Sequence, residues 1–342
     1  MENAKRRIDK AVELAILSMA FIIPVLFYTR TNDVFEINKM FVFRLFTVMA
    51  AFLWLVKALL DRKVSLARTD LDFPMIGYIV VTLINTFATK NFTVSVFGVY
   101  EDYEGILTAL NYFLFYYVLV NSLRRKNMTG KLMAVIAAAT GIISIYGILQ
   151  NSGWDFIQWN PETYNPERFF STLGNPNFLA AYLVEAVPLL FIMFFISSSK
   201  SVLVIKPVSF FMALLIPFGL VAFAVRGDVG TTGIAAMLAA EALLLSLVLL
   251  PARRIPVYAE KFFLIFILVI AIIVIFLTKS RAGFASLLLT MVFILIYAVL
   301  DARDPGNSLF SRNKAWFLVF AVICLAALFV PKVQEAFRAI WD

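Results

Sequence analysis

Two long cations lie on a very short turn between two apolar segments of the chain. The turn runs Thr278-Lys279-Ser280-Arg281-Ala282-Gly283, and the charge pattern described below places it on the outer side of a membrane. Cations at that depth can simply extend to lipid headgroups. They can also hold an anionic group at the membrane surface. Arg281 and Lys279 are therefore candidate site residues.

A second candidate site surrounds the sequence Gly174-Asn175-Pro176-Asn177. Asn175 before Pro176 is typical of a helix start, which is the purely structural interpretation. The same arrangement presents backbone N–H groups and two carboxamides near Arg168, and such a helix end can hold an anion or sugar hydroxyls. We predict that Arg168, Asn175 and Asn177 bind substrate.

Other polar residues carry weaker signals. Arg226 lies on an equivalent outer turn and is a further substrate-binding candidate, although its neighbour Asp228 offers a local ion pair. An acidic cluster is typical of a solvated loop, with a metal site or a general base as the alternative. This cluster comprises Glu101, Asp102 and Glu104.

Two glutamates and two asparagines inside apolar runs could have a role. Glu185 and Glu241 must be paired, protonated or facing a polar cavity if they lie at mid-membrane depth. Asn85 and Asn111 are expected to join helices through hydrogen bonds. None of these residues forms a series of the kind that a proton relay would require.

The sequence lacks the motifs of soluble catalysis. It contains no histidine, and its single cysteine excludes an internal disulfide. A Ser nucleophile motif, a phosphate-binding Gly-rich loop and metal-binding Cys/His spacings are also missing. We predict no metal site and no cofactor, and a reaction that takes place at the membrane surface.

Composition explains why a membrane is required. Hydrophobic residues make up 62% of the chain and charged residues only 15%, whereas a soluble domain is about half apolar and about a quarter charged. The net charge of +8 is distributed in short clusters between apolar runs, which fits lipid headgroups and not nucleic acid.

The apolar runs predict an all-α polytopic membrane protein of about eleven helices. These lie at 11–28, 40–60, 73–89, 105–123, 129–149, 177–197, 207–225, 231–250, 261–278, 283–300 and 315–331. About two thirds of the 30 lysines and arginines then face the cytoplasm, as the positive-inside rule expects. This topology makes 1–342 one transmembrane domain with a cytoplasmic N-terminus, an external C-terminus and a long aromatic outer loop at 150–177.

Three segments in this order resemble the O-antigen ligase and polymerase superfamily. They are Phe97-Gly98 to Glu104-Gly105, the sequence STLGNPNFLAAYL from Ser171, and Ser280-Arg281-Ala282-Gly283. The resemblance implies a GT-C-like glycosyltransferase in the bacterial cytoplasmic (inner) membrane. Its partners would be membrane lipid, an undecaprenyl-diphosphate-linked glycan and a glycan acceptor, which is a lipid A core, a growing polysaccharide or a protein. The resemblance also implies that Arg281 is the catalytic residue, which stabilises the diphosphate as a leaving group, and that Lys279 binds substrate.

The sequence departs from that superfamily in one respect. Members carry a large outer loop with a histidine after the eleventh helix, whereas this sequence stops at Asp342, where the loop would begin. We expect a truncated chain that binds donor lipid without catalysing transfer, or else a divergent member without the loop. A lipid-linked oligosaccharide flippase or secondary transporter, and a purely structural membrane partner, are the alternative functions.

Overall fold

The computed structural model describes residues 2–63, 66–100, 102–125, 127–155, 157, 159, 168–196 and 257–301. Throughout these residues the regular structure is helical and contains no strand, so the predicted all-α class is confirmed for this part of the chain. The predicted helices 207–225, 231–250 and 315–331 lie outside it. The chain divides into two compact units, Met1–Leu132 and Met133–Asp342.

The first unit contains five complete helices and the start of a sixth. They are α1 (Glu2–Val25), α2 (Glu36–Asp61), α3 (Asp72–Ala88), α4 (Phe92–Phe97), α5 (Ile106–Leu123) and α6 (Met128–Asn151). α1 packs along α2, and α5 packs against α2 and α3. On α1 the buried residues Val12, Ala15, Ile16 and Met19 follow the spacing of a single helical face.

Charged residues join the helix ends of this unit at one end. Asp9 of α1 accepts from Lys57 and from Arg125, each at 2.7 Å, and Lys131 pairs with Glu13. Hydropathy predicts that the first helix begins at residue 11, whereas α1 begins at Glu2. These contacts explain the difference. The first turns are helical because Asp9 and Glu13 are neutralised by cations of the neighbouring segments, and Lys5 pairs with Asp61 at the end of α2 at 2.5 Å.

The second unit contains the remainder of α6, a short 3-10 turn and three further helices. These elements are Ser171–Leu173, α7 (Pro176–Ile196), α8 (Val257–Leu277) and α9 (Arg281–Asp301). α7 packs against both α8 and α9. Its residues Leu179, Leu183, Val187 and Leu190 are at most 1% exposed, and their spacing places them on the face that forms the core of the unit.

Four helices of the described part are long and apolar enough to cross a membrane. They are Glu36–Asp61, Ile106–Leu123, Met128–Asn151 and Pro176–Phe194. Shorter apolar helices occur at Asp72–Ala88, Phe263–Leu277 and Arg281–Ile294. α2 exposes Phe41, Leu45, Val48 and Phe52 on one side, and an exposed apolar stripe of this kind is suited to lipid contact. The chain is therefore a membrane-associated helical protein, while the full set of eleven spans stays a prediction.

Candidate functional site

α7 begins at the residue that the sequence predicts. The side-chain Oδ1 of Asn175 accepts a hydrogen bond from the Asn177 N–H at 2.8 Å. The Asn175 carbonyl accepts from the Leu179 N–H at 2.9 Å, and Gly174 turns the chain with a φ of 76°. Asn175 is thus the helix cap, and the predicted helix start is confirmed.

This capping changes what the helix end can offer to a ligand. Pro176 has no N–H, and the N–H groups of Asn177 and Leu179 donate within the protein. The Asn177 side-chain oxygen accepts from Arg168. Few backbone donors are left for an anion, so the nearby cationic side chains must provide most of the attraction.

The turn between α8 and α9 is as short as predicted. α8 ends at Leu277 and α9 begins at Arg281. Lys279 adopts a positive φ of 55°, which reverses the chain. The Ser280 hydroxyl then caps α9 by accepting from the Gly283 N–H at 3.2 Å. Arg281 follows the cap directly, and its side chain is exposed.

Arg168 joins the two turns. Its Nε donates to the Thr278 carbonyl at the end of α8 at 3.1 Å, and an Nη donates to Asn177 Oδ1 on α7 at 3.3 Å. The residues bridged by the first bond are 110 positions apart in sequence. Arg168 therefore has a structural role that the sequence does not reveal, and it brings the Asn175 and Arg281 segments to the same end of the unit.

α7 and α9 also approach each other closely at this end. A Cβ added to Gly283 would lie 2.5 Å from the Cβ of Ala180. The small residues Ala180 and Gly283 therefore set the spacing between the helix that begins at Pro176 and the helix that begins at Arg281.

Gly283→Ala is expected to lower the free energy of unfolding by about 1–3 kcal/mol through this overlap. Ala180→Gly in the same chain removes the second methyl group and should recover at least about 1 kcal/mol of the loss. Denaturant unfolding in detergent of both single variants and the double variant measures the coupling. Strictly additive effects would contradict the direct contact.

The outer loop is anchored by Asp155. Its carboxylate accepts from the Tyr146 hydroxyl at 2.9 Å, from Gln150 Nε2 at 2.7 Å and from Trp159 Nε1 at 2.7 Å. Gln150 Oε1 in turn accepts from the backbone N–H groups of residues 170 and 171, at 3.0 and 2.7 Å. One carboxylate and one carboxamide thus connect the two described ends of the loop.

Asp155 lies earlier in the chain than Arg168 and Asn175, and it was not among the predicted site residues. Asp155 is the one acid among the aromatic residues that open the outer loop. The signal that could have identified it is an acid four residues before a tryptophan, just after a helix whose last turn contains Gln150.

The site has an excess of positive charge. Arg168 bonds to Thr278, which Lys279 and Arg281 follow closely in the chain. None of the four ion pairs found in the described part includes these three cations. Arg168 is half-buried and Arg281 is exposed. This arrangement can attract and hold an anionic group with several oxygen atoms.

The remaining predicted residues are placed as follows. Arg226 and Glu241 lie outside the described residues, as does Glu101 of the acidic cluster. Glu185 lies on α7 with an exposed side chain. Within the described ranges, no group of three or more metal-ligating side chains is found.

Comparison with protein-family models, curated proteins and solved structures gives no match for this chain. Its function must therefore be inferred from the arrangement of its own residues.

Proposed function

We propose that this chain is a glycosyltransferase of the O-antigen ligase and polymerase type in the bacterial cytoplasmic membrane. Its donor is a glycan on undecaprenyl diphosphate, and its acceptor is a hydroxyl group of a lipid A core, a growing polysaccharide or a protein. The new bond joins the acceptor oxygen to the anomeric carbon. The bond from that carbon to the diphosphate breaks, the diphosphate leaves with the electron pair, and the acceptor proton passes to water.

The observation that supports this proposal is the joining of two separate segments by Arg168. Asn177 at the start of α7 and Thr278 at the end of α8 both bind its guanidinium, and Arg281 follows three residues after Thr278. Neither Arg168 nor Arg281 forms an ion pair with a carboxylate of the described residues. A diphosphate at the headgroup layer would supply the missing negative charge, and it would gain the most from them as its charge increases.

The residues are assigned different roles in this proposal. Arg281 binds the diphosphate and stabilises it as a leaving group. Lys279 adds a second positive charge beside it. Arg168 contacts the donor while it positions the two helix ends. Asn175 and Asn177 shape the start of α7 and offer the N–H groups of their side-chain carboxamides to the glycan.

Arg281→Ala is expected to weaken donor binding at least about tenfold, because one charge-assisted hydrogen bond contributes about 1.5–3 kcal/mol. The thermal unfolding midpoint should stay within about 1 °C, since surface substitutions of this kind change stability little. The measurement is the binding of undecaprenyl-diphosphate glycan to the purified chain in nanodiscs. Lys90→Ala is the matched control, because Lys90 is another exposed cation on the predicted outer side.

Arg168→Ala provides the second half of the experiment. It should weaken donor binding and also lower the unfolding midpoint, because it removes the bonds to Thr278 and Asn177. Unchanged donor binding in both variants would rule out the proposed donor site.

The transporter alternative is tested in vesicles. Movement of the donor across the bilayer that does not depend on Arg281 would favour a flippase.

A further inference from the structure

Arg44 is an unusual residue within the first unit. It is the ninth residue of α2, a helix otherwise apolar around this position. One Nη donates to the Thr108 hydroxyl of α5 at 2.7 Å. Its Nε is buried without a hydrogen-bond partner, and no described ion pair includes Arg44. A guanidinium in this setting needs an acceptor that carries negative charge.

Asn111 lies about one turn after Thr108 on α5, and it too has a hydrogen-bond donor without an acceptor. Its side chain is only 7% exposed, and its amide nitrogen has no hydrogen-bond partner. Asn111 is expected from the sequence to join helices through hydrogen bonds, and its amide nitrogen makes no such bond. Residues 108 and 111 are three apart on one helix, so they share a face, and Arg44 reaches that face through its bond to Thr108.

Thr108 accepts from neither of these two donors. Its hydroxyl donates to the Tyr103 carbonyl at 2.6 Å, and its oxygen accepts from an Nη of Arg44 and not from Arg44 Nε or the Asn111 amide. Two buried donors therefore lack an acceptor, the Nε–H of Arg44 and the side-chain N–H₂ of Asn111. The carboxylates Glu36 and Glu104 lie in the same region, but neither forms an ion pair with Arg44. A bridging water would satisfy the hydrogen bonds without adding negative charge.

The exposed stripe of α2 indicates how an acceptor would arrive. Phe41, Leu45 and Val48 are 66%, 52% and 59% exposed, and Arg44 borders them on the helix surface. A ligand that carries acyl chains could place those chains along the stripe and its headgroup at Arg44. An anion in free solution has no comparable contact with the stripe.

We propose that Arg44 and Asn111 bind the phosphate of a membrane lipid whose acyl chains lie along the exposed face of α2. Both donor atoms are covered by protein in the structure, so binding requires the Arg44 side chain to rotate towards the exposed stripe. Phosphate oxygens then accept from the guanidinium and from the Asn111 amide, and the phosphate charge neutralises Arg44. This site is independent of glycan transfer. It supplies the first unit with a bound lipid at a fixed position.

Binding of phosphatidic acid to the purified full chain, followed by native mass spectrometry, tests the proposal. Arg44→Gln and Asn111→Leu should each weaken binding at least about tenfold. Arg30→Gln removes an exposed arginine on the same predicted side and should leave binding unchanged. Equal binding by the Arg44 and Arg30 variants would overturn the proposal.

One further measurement distinguishes a ligand-binding role of Asn111 from a purely structural one. A second shows whether the ligand is a lipid or free phosphate. In lipid-free detergent, Asn111→Leu should keep or raise the unfolding midpoint, because it removes a buried donor that lacks a partner. A lowered midpoint with unchanged lipid binding would assign Asn111 a structural role and refute the site. Diacylglycerol, which has no phosphate, should not bind. Arg44-dependent stabilisation by inorganic phosphate equal to that by phosphatidic acid would refute the lipid as ligand.

Discussion

Gly105→Ala is expected to destabilise the first unit by about 3 kcal/mol or more, near the upper end of what overpacking costs. A Cβ at residue 105 would overlap the backbone of Val96, and it would also crowd the backbone nitrogen of Gly98. Backbone atoms cannot turn aside as a flexible side chain can. The segment that ends α4 would have to separate from the start of α5.

The same substitution should affect the Arg44 site. The loop closed by Gly98 and Gly105 carries Tyr103, whose carbonyl accepts from Thr108. If the loop opens, Thr108 loses its acceptor and can rotate away from Arg44. The thermal unfolding midpoint in detergent and the retention of phosphatidic acid should therefore fall together in Gly105→Ala.

Two helical glycines serve as controls for this experiment. Nothing lies within 4 Å of a Cβ added to Gly77 or Gly130. Alanine at either position should leave the midpoint unchanged or raise it slightly, because alanine has a higher helix propensity than glycine. A Gly105→Ala midpoint equal to these controls would show that the close backbone contact is incorrect.

Asp155→Asn is the second substitution with a large expected effect, a loss of about 2–3 kcal/mol in the second unit. The carboxylate accepts four hydrogen bonds, from Tyr146, Gln150, Trp159 and the Ile157 N–H. An amide removes the charge and replaces one acceptor oxygen by a donor. Bonds to a charged acceptor contribute about 1.5–3 kcal/mol each, but they are not additive within one group.

The consequence for the loop can be measured directly. With Asp155 replaced, Gln150 loses the bond that fixes its amide, so its hold on residues 170 and 171 weakens and Arg168 is less well placed. Thermal unfolding should shift downwards and donor binding should weaken in the same variant. Asp70→Asn is the control, because Asp70 is exposed and forms no hydrogen bond within the described part. Equal midpoints for the two variants would exclude the anchoring role.

The sequence predicts best the features that depend on neighbouring residues. Asn175 before Pro176 correctly marks the start of α7, and the polar run after Leu277 correctly marks the turn between α8 and α9. Each signal is local, because a cap or a turn is built from residues within about four positions of one another. Apolar runs of sufficient length likewise locate the eight long helices of the described part.

Contacts between distant residues are not encoded in such patterns. Arg168 bonds to a residue 110 positions away, and no periodicity indicates that Thr278 needs a donor. Likewise, no sequence pattern indicates that a Cβ at Gly98 or Gly105 would meet backbone atoms. The six-residue helix Phe92–Phe97 is too short to produce a recognisable apolar period.

The ion pairs of the first unit also set an order of assembly during synthesis. Lys57 follows Asp9 by 48 residues and Arg125 follows it by 116. At about 5–20 residues per second, these partners emerge about 2–10 s and about 6–23 s after Asp9. The N-terminal helix therefore acquires its neutralising contacts in two steps, and the later step waits until α5 has been translated.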